Sequence, residues 1–255
     1  MTNAGPMSDR VISLATPILL LLAWEICAYL GWIDVRFFPA PSSIAQQFLT
    51  LSQTGELWIN IWVSLQRLFW GCLLGMVPAI VLGVIMGLSR PVRAGIAPLV
   101  SATYPLPKSA ILPLVLLIFG LGEASKIVMV ALGVFYPVII NTMTGVLQIQ
   151  SIYLDVGKNF NASRWQEFYT IALPGALPSI LAGIKLGIGM GLILIAIAEM
   201  VGAQSGIGYM IWNAWQTLSI ETMYVGLLTI AVIGFALSFI LDELEILLLP
   251  TRRTR

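Results

Sequence analysis

The chain has 255 residues, 58% of them apolar and 10% charged, with 13 basic against 12 acidic side chains and no histidine. A soluble domain carries about 25% charge, so this chain cannot clothe itself for water, and its solvent is a lipid bilayer. A net charge of +1 offers no face to nucleic acid, and without histidine the commonest general base and metal ligand is missing, which weighs against a membrane-embedded Ser-His hydrolase or zinc protease.

A membrane-spanning helix needs about 20 mainly apolar residues. The apolar runs predict about six, over 11–30, 66–88, 96–120, 124–147, 179–202 and 223–241, and make the chain one all-α, polytopic unit over 1–255. The first run, Val11 to Leu30, is interrupted only by Glu25 and has no small-x-small cleavage site. It reads as a retained signal-anchor helix. Residues 39–65 open with Pro39-Ala40-Pro41-Ser42 and space Ile44, Phe48, Leu51, Leu57, Ile61 and Leu65 for an amphipathic helix on the outer interface, with Ser42 as its cap. Cys72 and Cys27 lie in apolar runs and read as small core residues. The third run holds Pro98, Pro105, Pro107, Pro113 and Lys108, so it is expected to be broken or kinked. In the fifth, Gly183, Gly187 and Gly191 recur every four residues with Gly189 beside them. That spacing serves close helix packing or a pore-lining face. Asp242 to Glu245 carry the last helix into the interface before Pro250.

Basic residues orient this arrangement. With the N-terminus in the cytoplasm, that side holds Arg10, Arg90, Arg93, Lys158, Arg164, Arg252, Arg253 and Arg255, against Arg36, Arg67 and Lys126 opposite. The bias places both termini, and the long loop at about 150–178, in the cytoplasm.

That loop is the longest polar stretch of the chain, yet it spaces Phe160, Trp165, Phe168 and Tyr169 as a helix would. Two short helices at an angle are expected, with Asn161 at the turn between them and Leu173-Pro174-Gly175-Ala176-Leu177-Pro178 ending the second. The permeases of ABC importers carry a cytoplasmic signature here: E-A-A, three residues, G, nine residues, I-x-L-P. This loop resembles it. Asp155-Val156-Gly157 stands at E-A-A, Asn161 at the glycine, and Ile171-Ala172-Leu173-Pro174 follows at the family spacing. Asp155 keeps the acid, Gly157 the small size, and Asn161 the access to left-handed backbone, while Val156 departs furthest. Phe38 to Ser42, Ser64 to Leu68, Leu112 to Leu114, Phe119 to Gly122, and Ala198-Glu199-Met200 with Gly206-Ile207-Gly208 are similar to the branch that imports nitrate, sulfonates and taurine.

The resemblance implies a bacterial inner-membrane permease, paired with a second copy around the solute path. Separate ATPase subunits would dock on Asp155, Gly157, Asn161, Ala162, Ile171, Leu173 and Pro174, and a soluble or lipid-anchored binding protein would deliver a small anion. It also puts ATP and Mg on the partner: the chain's nearest approach to a phosphate-binding loop, Gly120 to Ile127, has the wrong spacing and reads as a helix start. Lone charges in apolar runs are functional candidates because lipid penalises them by a few kcal/mol or more. Glu199 is a gate residue or one half of an ion pair. Lys108 and Lys185 attract solute or serve structure, with snorkelling the simpler account of Lys185, and Glu25 is interfacial. Gly187 and Gly191 line the path or pack helices. The rival reading, a secondary transporter or channel, calls for paired intramembrane charges and an internal repeat; neither is visible in the sequence.

Overall fold

The computed structural model describes residues 6–248; the side chains of residues 6–14, Leu154, Lys158 and Arg164 fall outside that description, as do Pro250, Arg252, Arg253 and Arg255. Among the described residues there are helices and turns but no strand. The order is α1 (Pro6–Tyr29), α2 (Pro41–Gln53), α3 (Glu56–Leu88), α4 (Arg90–Thr103), a 3-10 turn (Lys108–Ile111) leading into α5 (Leu112–Phe119), and α6 (Glu123–Leu147). Then come α7 (Ser151–Asn159), α8 (Arg164–Gln166), a π-helical turn (Glu167–Ala172), α9 (Leu173–Gly202), α10 (Ile207–Gln216) and α11 (Ile220–Leu248).

Among the described residues, four helices are long and apolar enough to cross a bilayer: α3, α6, the unbroken run Glu167–Gly202, and α11. The proline-rich third segment is broken, as its sequence predicts, with α4 and the 108–119 helix meeting at 87°. α1 adds a shorter apolar stretch, Ala15–Tyr29. Against about six expected spans, the described residues thus hold four, or five with the bent pair counted as one, and the first expected span is a shorter apolar helix. Residues 56–65 belong to α3 and not to an interfacial helix, so only α2 remains of the amphipathic element expected over 39–65. Gly55, in the left-handed conformation at φ 81°, separates the two. Ser42 does not cap α2 either. Its N–H and hydroxyl donate to the Glu25 carboxylate at 3.0 and 2.7 Å, so Glu25 of α1 caps α2 from outside.

The centre of the bundle is α6, sandwiched between α3 and α9, with Leu68, Cys72, Ala79, Met86, Val130, Val134, Val138 and Ile195 forming the main core. Cys27 is half-buried in α1. Glycine brings the two seams together. A Cβ on Gly71 would lie 2.4 Å from Val130 Cβ, and one on Gly83 would lie 2.7 Å from Thr142 Cβ. Across the other seam, a Cβ on Gly183 would lie 2.8 Å from Asn141 Cβ. Missing side chains let these backbones approach closely, so dispersion contacts accumulate where lipid offers no hydrophobic drive.

Candidate functional site

The stretches Ser64–Leu68, Phe119–Gly122 with Glu123, Ala198–Met200 and Gly206–Gly208 are far apart in sequence, yet they meet at one end of the bundle. Arg67 on α3 sits at the centre, 3% exposed, with Glu199 of α9 beside it at 1%. Arg67 Nη1 donates to Glu199 Oε1 at 2.8 Å and to the Ser205 carbonyl at 2.7 Å. Its Nε and Nη2 form a bidentate pair with Glu123 at 2.6 Å each. Ser64 Oγ donates to the Glu199 carboxylate and accepts from Ile207 N–H at 2.8 Å. Gly208 N–H donates to Glu199 Oε2 at 2.9 Å, and Gly206 N–H to Asn60 Oδ1 at 2.7 Å. The orphan amides that open α10 are therefore satisfied by side chains of α3 and α9.

The glycines of this motif have a steric reason. Gly206 has φ 114°, and a Cβ there would lie 2.3 Å from Glu199 Cδ; one on Gly208 would lie 2.2 Å from the Ala196 carbonyl. The sequence shows no paired charges inside the spans, and the structure corrects that with the buried Arg67–Glu199 pair. The apolar run that starts at 66 leaves Arg67 at its boundary, whereas the helix starts at Glu56 and holds Arg67 in its interior.

The remaining cations separate by environment. Lys126 is buried in the same region and donates to the carbonyls of Leu121 and Gly202. Lys108 is buried at the break between α4 and α5. Its ammonium donates to the carbonyls of Thr103, Tyr104 and Leu106 at 2.9 Å each and lies 4.1 Å from the Tyr136 ring centre. It staples the broken segment. Lys185 pairs with Asp242 across α9 and α11 on a partly open face. Gly187 and Gly191 face Val134 and Val130 of α6, so close packing is what their side of α9 does, while Gly189 on the other side meets nothing within 4 Å.

At the opposite end lies the loop singled out in the sequence. α7 turns at Asn161, whose φ is 52°, the left-handed conformation its amide side chain tolerates. Ala162 N–H donates to the Gly157 carbonyl at 2.9 Å. Gly157 is buried under Ile171: a Cβ there would lie 2.8 Å from Ile171 Cδ1. Ser163 and Gln166 form a capping box that starts α8, with Ser163 N–H to Gln166 Oε1 at 2.8 Å and Gln166 N–H to Ser163 Oγ at 3.3 Å. Asp155 is on the open face of α7. Leu173 packs against the buried cluster of Val84, Val146, Ala172, Ala176 and Ile180. Pro174 does not end the second short helix, contrary to the sequence expectation. It lies in the first turn of α9, and the wider π turn before it accommodates the ring, so the helix runs unbroken from Arg164 to Gly202.

Residues 79–251, which include this loop and Glu199, match the family described as binding-protein-dependent transport system inner membrane component. The taurine transport system permease protein TauC of Escherichia coli is 34% identical over 251 residues, 96% of this chain and 91% of that protein. The aliphatic sulfonates transport permease proteins SsuC of Bacillus subtilis and of Escherichia coli are each 33% identical; they cover 87% and 88% of this chain and 80% and 86% of their own lengths. The chain belongs to this family of ABC-importer permeases. The permease is a multi-pass membrane protein that forms a solute pathway, and its part in transport is not catalytic. Its two sites share one helix: the signature loop opens the run that ends at Glu199 and Gly202.

Proposed function

We propose that this permease carries taurine or a similar small sulfonate into a bacterial cell across the inner membrane, driven by separate ATPase subunits that dock on the loop at about 150–178. The observation that carries this is the mechanical continuity from that loop into α9: α8 runs unbroken into α9, and α7 is seated on the join through Gly157 against Ile171, so a displacement of either reaches a spanning helix. Phe160, Trp165 and Tyr169 are 83%, 72% and 64% exposed on the loop, an apolar surface of the kind that packs into a partner. Asp155, Gly157, Asn161 and Ala162 set its shape, and Ile171, Leu173 and Pro174 join it to α9. The basic-residue bias puts the loop and both termini in the cytoplasm, so the Glu199 cluster faces outward, where a binding protein delivers solute. Two copies enclose the path, with the open face of α9, the side of Leu186, Gly189 and Met190, towards it. ATP and Mg act on the partner ATPase. The relatives' printed solutes, taurine and aliphatic sulfonates, favour a sulfonate over nitrate.

The test is uptake of labelled taurine into liposomes by the permease reconstituted with its ATPase and binding protein. Asp155→Lys and Ala162→Arg are expected to insert normally and to uncouple ATP hydrolysis from uptake. Normal uptake by both variants refutes the coupling assignment, and uptake by the permease alone refutes the ATPase dependence.

A further inference from the structure

Of the cations in the apolar segments, Arg67, Lys108 and Lys126 are buried with their donors engaged by carboxylates or main-chain carbonyls. Lys185 is different. It lies about 21 Å from Glu199 along α9, at about 1.5 Å per residue. Its side chain is 40% exposed, and its partner Asp242 is 51% exposed. An ion pair this open is weak, so a second anion can displace Asp242 from the ammonium.

Lys185 also lines an open groove of about 370 Å³ with Tyr104, Pro137, Asn141, Gly189 and Met190. That volume falls within the range of about 300–1,000 Å³ common for small-ligand sites. Asn141 Nδ2 donates to the Pro137 carbonyl at 2.8 Å, which fixes the amide and leaves Oδ1 as an acceptor. Gly189 leaves the backbone open on this side. The wall thus offers one displaceable cation, one amide acceptor and apolar surface from Leu186 and Met190.

Resting on the sulfonate reading above, we propose that this groove is a transient aminoalkanesulfonate subsite on the permease itself. Lys185 exchanges Asp242 for the sulfonate head, and Asn141 Oδ1 accepts from the solute's ammonium. Asp242 then works as a built-in competitor that takes Lys185 back when the solute leaves, which keeps binding weak enough for passage.

The test uses the permease purified with its ATPase, free of nucleotide and of the binding protein, so that no other sulfonate reader is present. Taurine and ethanesulfonate binding is followed by titration calorimetry. The wild-type complex is expected to bind both weakly. Lys185→Met weakens both by at least about tenfold, and Lys185→Arg retains them. Asp242→Asn tightens both, because the competing charge is gone. Asn141→Leu weakens taurine alone, since ethanesulfonate has no ammonium. No binding by the wild type, or equal binding by Lys185→Met, overturns the subsite. Failure of the complete wild-type importer to take up any sulfonate while carrying another solute overturns the sulfonate reading instead.

Discussion

Replacing Glu199 with Gln keeps the shape of the side chain and removes its charge, which isolates the ion pair from the packing around it. The carboxylate accepts from Arg67 Nη1, Ser64 Oγ and Gly208 N–H at 2.8–2.9 Å. An amide holds one acceptor in place and turns an NH2 group towards a donor. With the oxygen kept on Arg67, the NH2 group meets Gly208 N–H and that bond is lost. Removing one partner of a buried pair costs about 3–5 kcal/mol. Arg67 retains its bidentate bond to Glu123, so the lower end, about 3 kcal/mol, applies here. For a chain of this size that is a fall in Tm of about 6–12 °C. The assay is thermal unfolding of the detergent-purified permease, alongside ATPase association and uptake. Association is expected to persist, because the loop lies at the other end of α9, while uptake changes. A Tm within about 2 °C of wild type refutes the energetic argument, and unchanged uptake leaves Glu199 a purely structural residue. Arg67→Met combined with Glu199→Leu is expected to be less destabilising than the sum of the single changes, since neither buried charge of the pair is left stranded and Glu123, 63% exposed, turns to water.

Gly206→Ala is expected to match the loss seen in Glu199→Gln or exceed it, because its Cβ would enter the carboxylate; a wild-type melting curve counts against the observed loop. Gly71→Leu overpacks the seam with Val130 and is expected to cost about 1–3 kcal/mol or more, while Gly189→Leu, which meets nothing within 4 Å, leaves stability unchanged. Asn161→Val puts a β-branched residue at φ 52° and is expected to lower the stability of the loop by about 1–2 kcal/mol, whereas Asn161→Gly is tolerated; limited proteolysis at 155–166 reads both. Leu218 stands at φ 56° at the end of α10, where Ser219 N–H reaches the Ala214 carbonyl at 2.8 Å and glycine is the usual occupant, so Leu218→Gly is expected to stabilise the permease by about 1 kcal/mol, read as a raised Tm.

Elements set by period or punctuation were legible in the sequence. The apolar runs of α6, α9 and α11 marked their own positions, and the prolines at 105, 107 and 113 marked the break beside Lys108. Asn161 stood where a left-handed turn was needed. Boundaries were harder. Residues 56–65 are mainly apolar with Glu56, Asn60 and Ser64 at every fourth place, a pattern that fits an interfacial helix as well as a continuation of α3. Pro174 carries the ordinary sign of a helix end, and only the π turn before it makes continuation possible. The Glu199 cluster was present in pieces. Each motif was visible, but the partnership of Arg67, Glu123 and Glu199 is a property of three helices packed through glycine. The pairing depends on a register that no short window contains. A signal was available, since an arginine and two acids at the ends of apolar runs on one side are candidates for each other.

The glycine seam of α9 also constrains how such a permease can diverge. Positions 183, 187 and 191 cannot gain bulk without parting α9 from α6, and Glu199 cannot change without Arg67 and Gly206 changing with it. Leu186, Gly189, Met190 and Ile193, on the open side, carry no such debt. On the proposed reading that this side faces the path, variation between copies serving different solutes is channelled onto that single stripe, so a change of cargo can arise by a few substitutions there while the scaffold stays fixed.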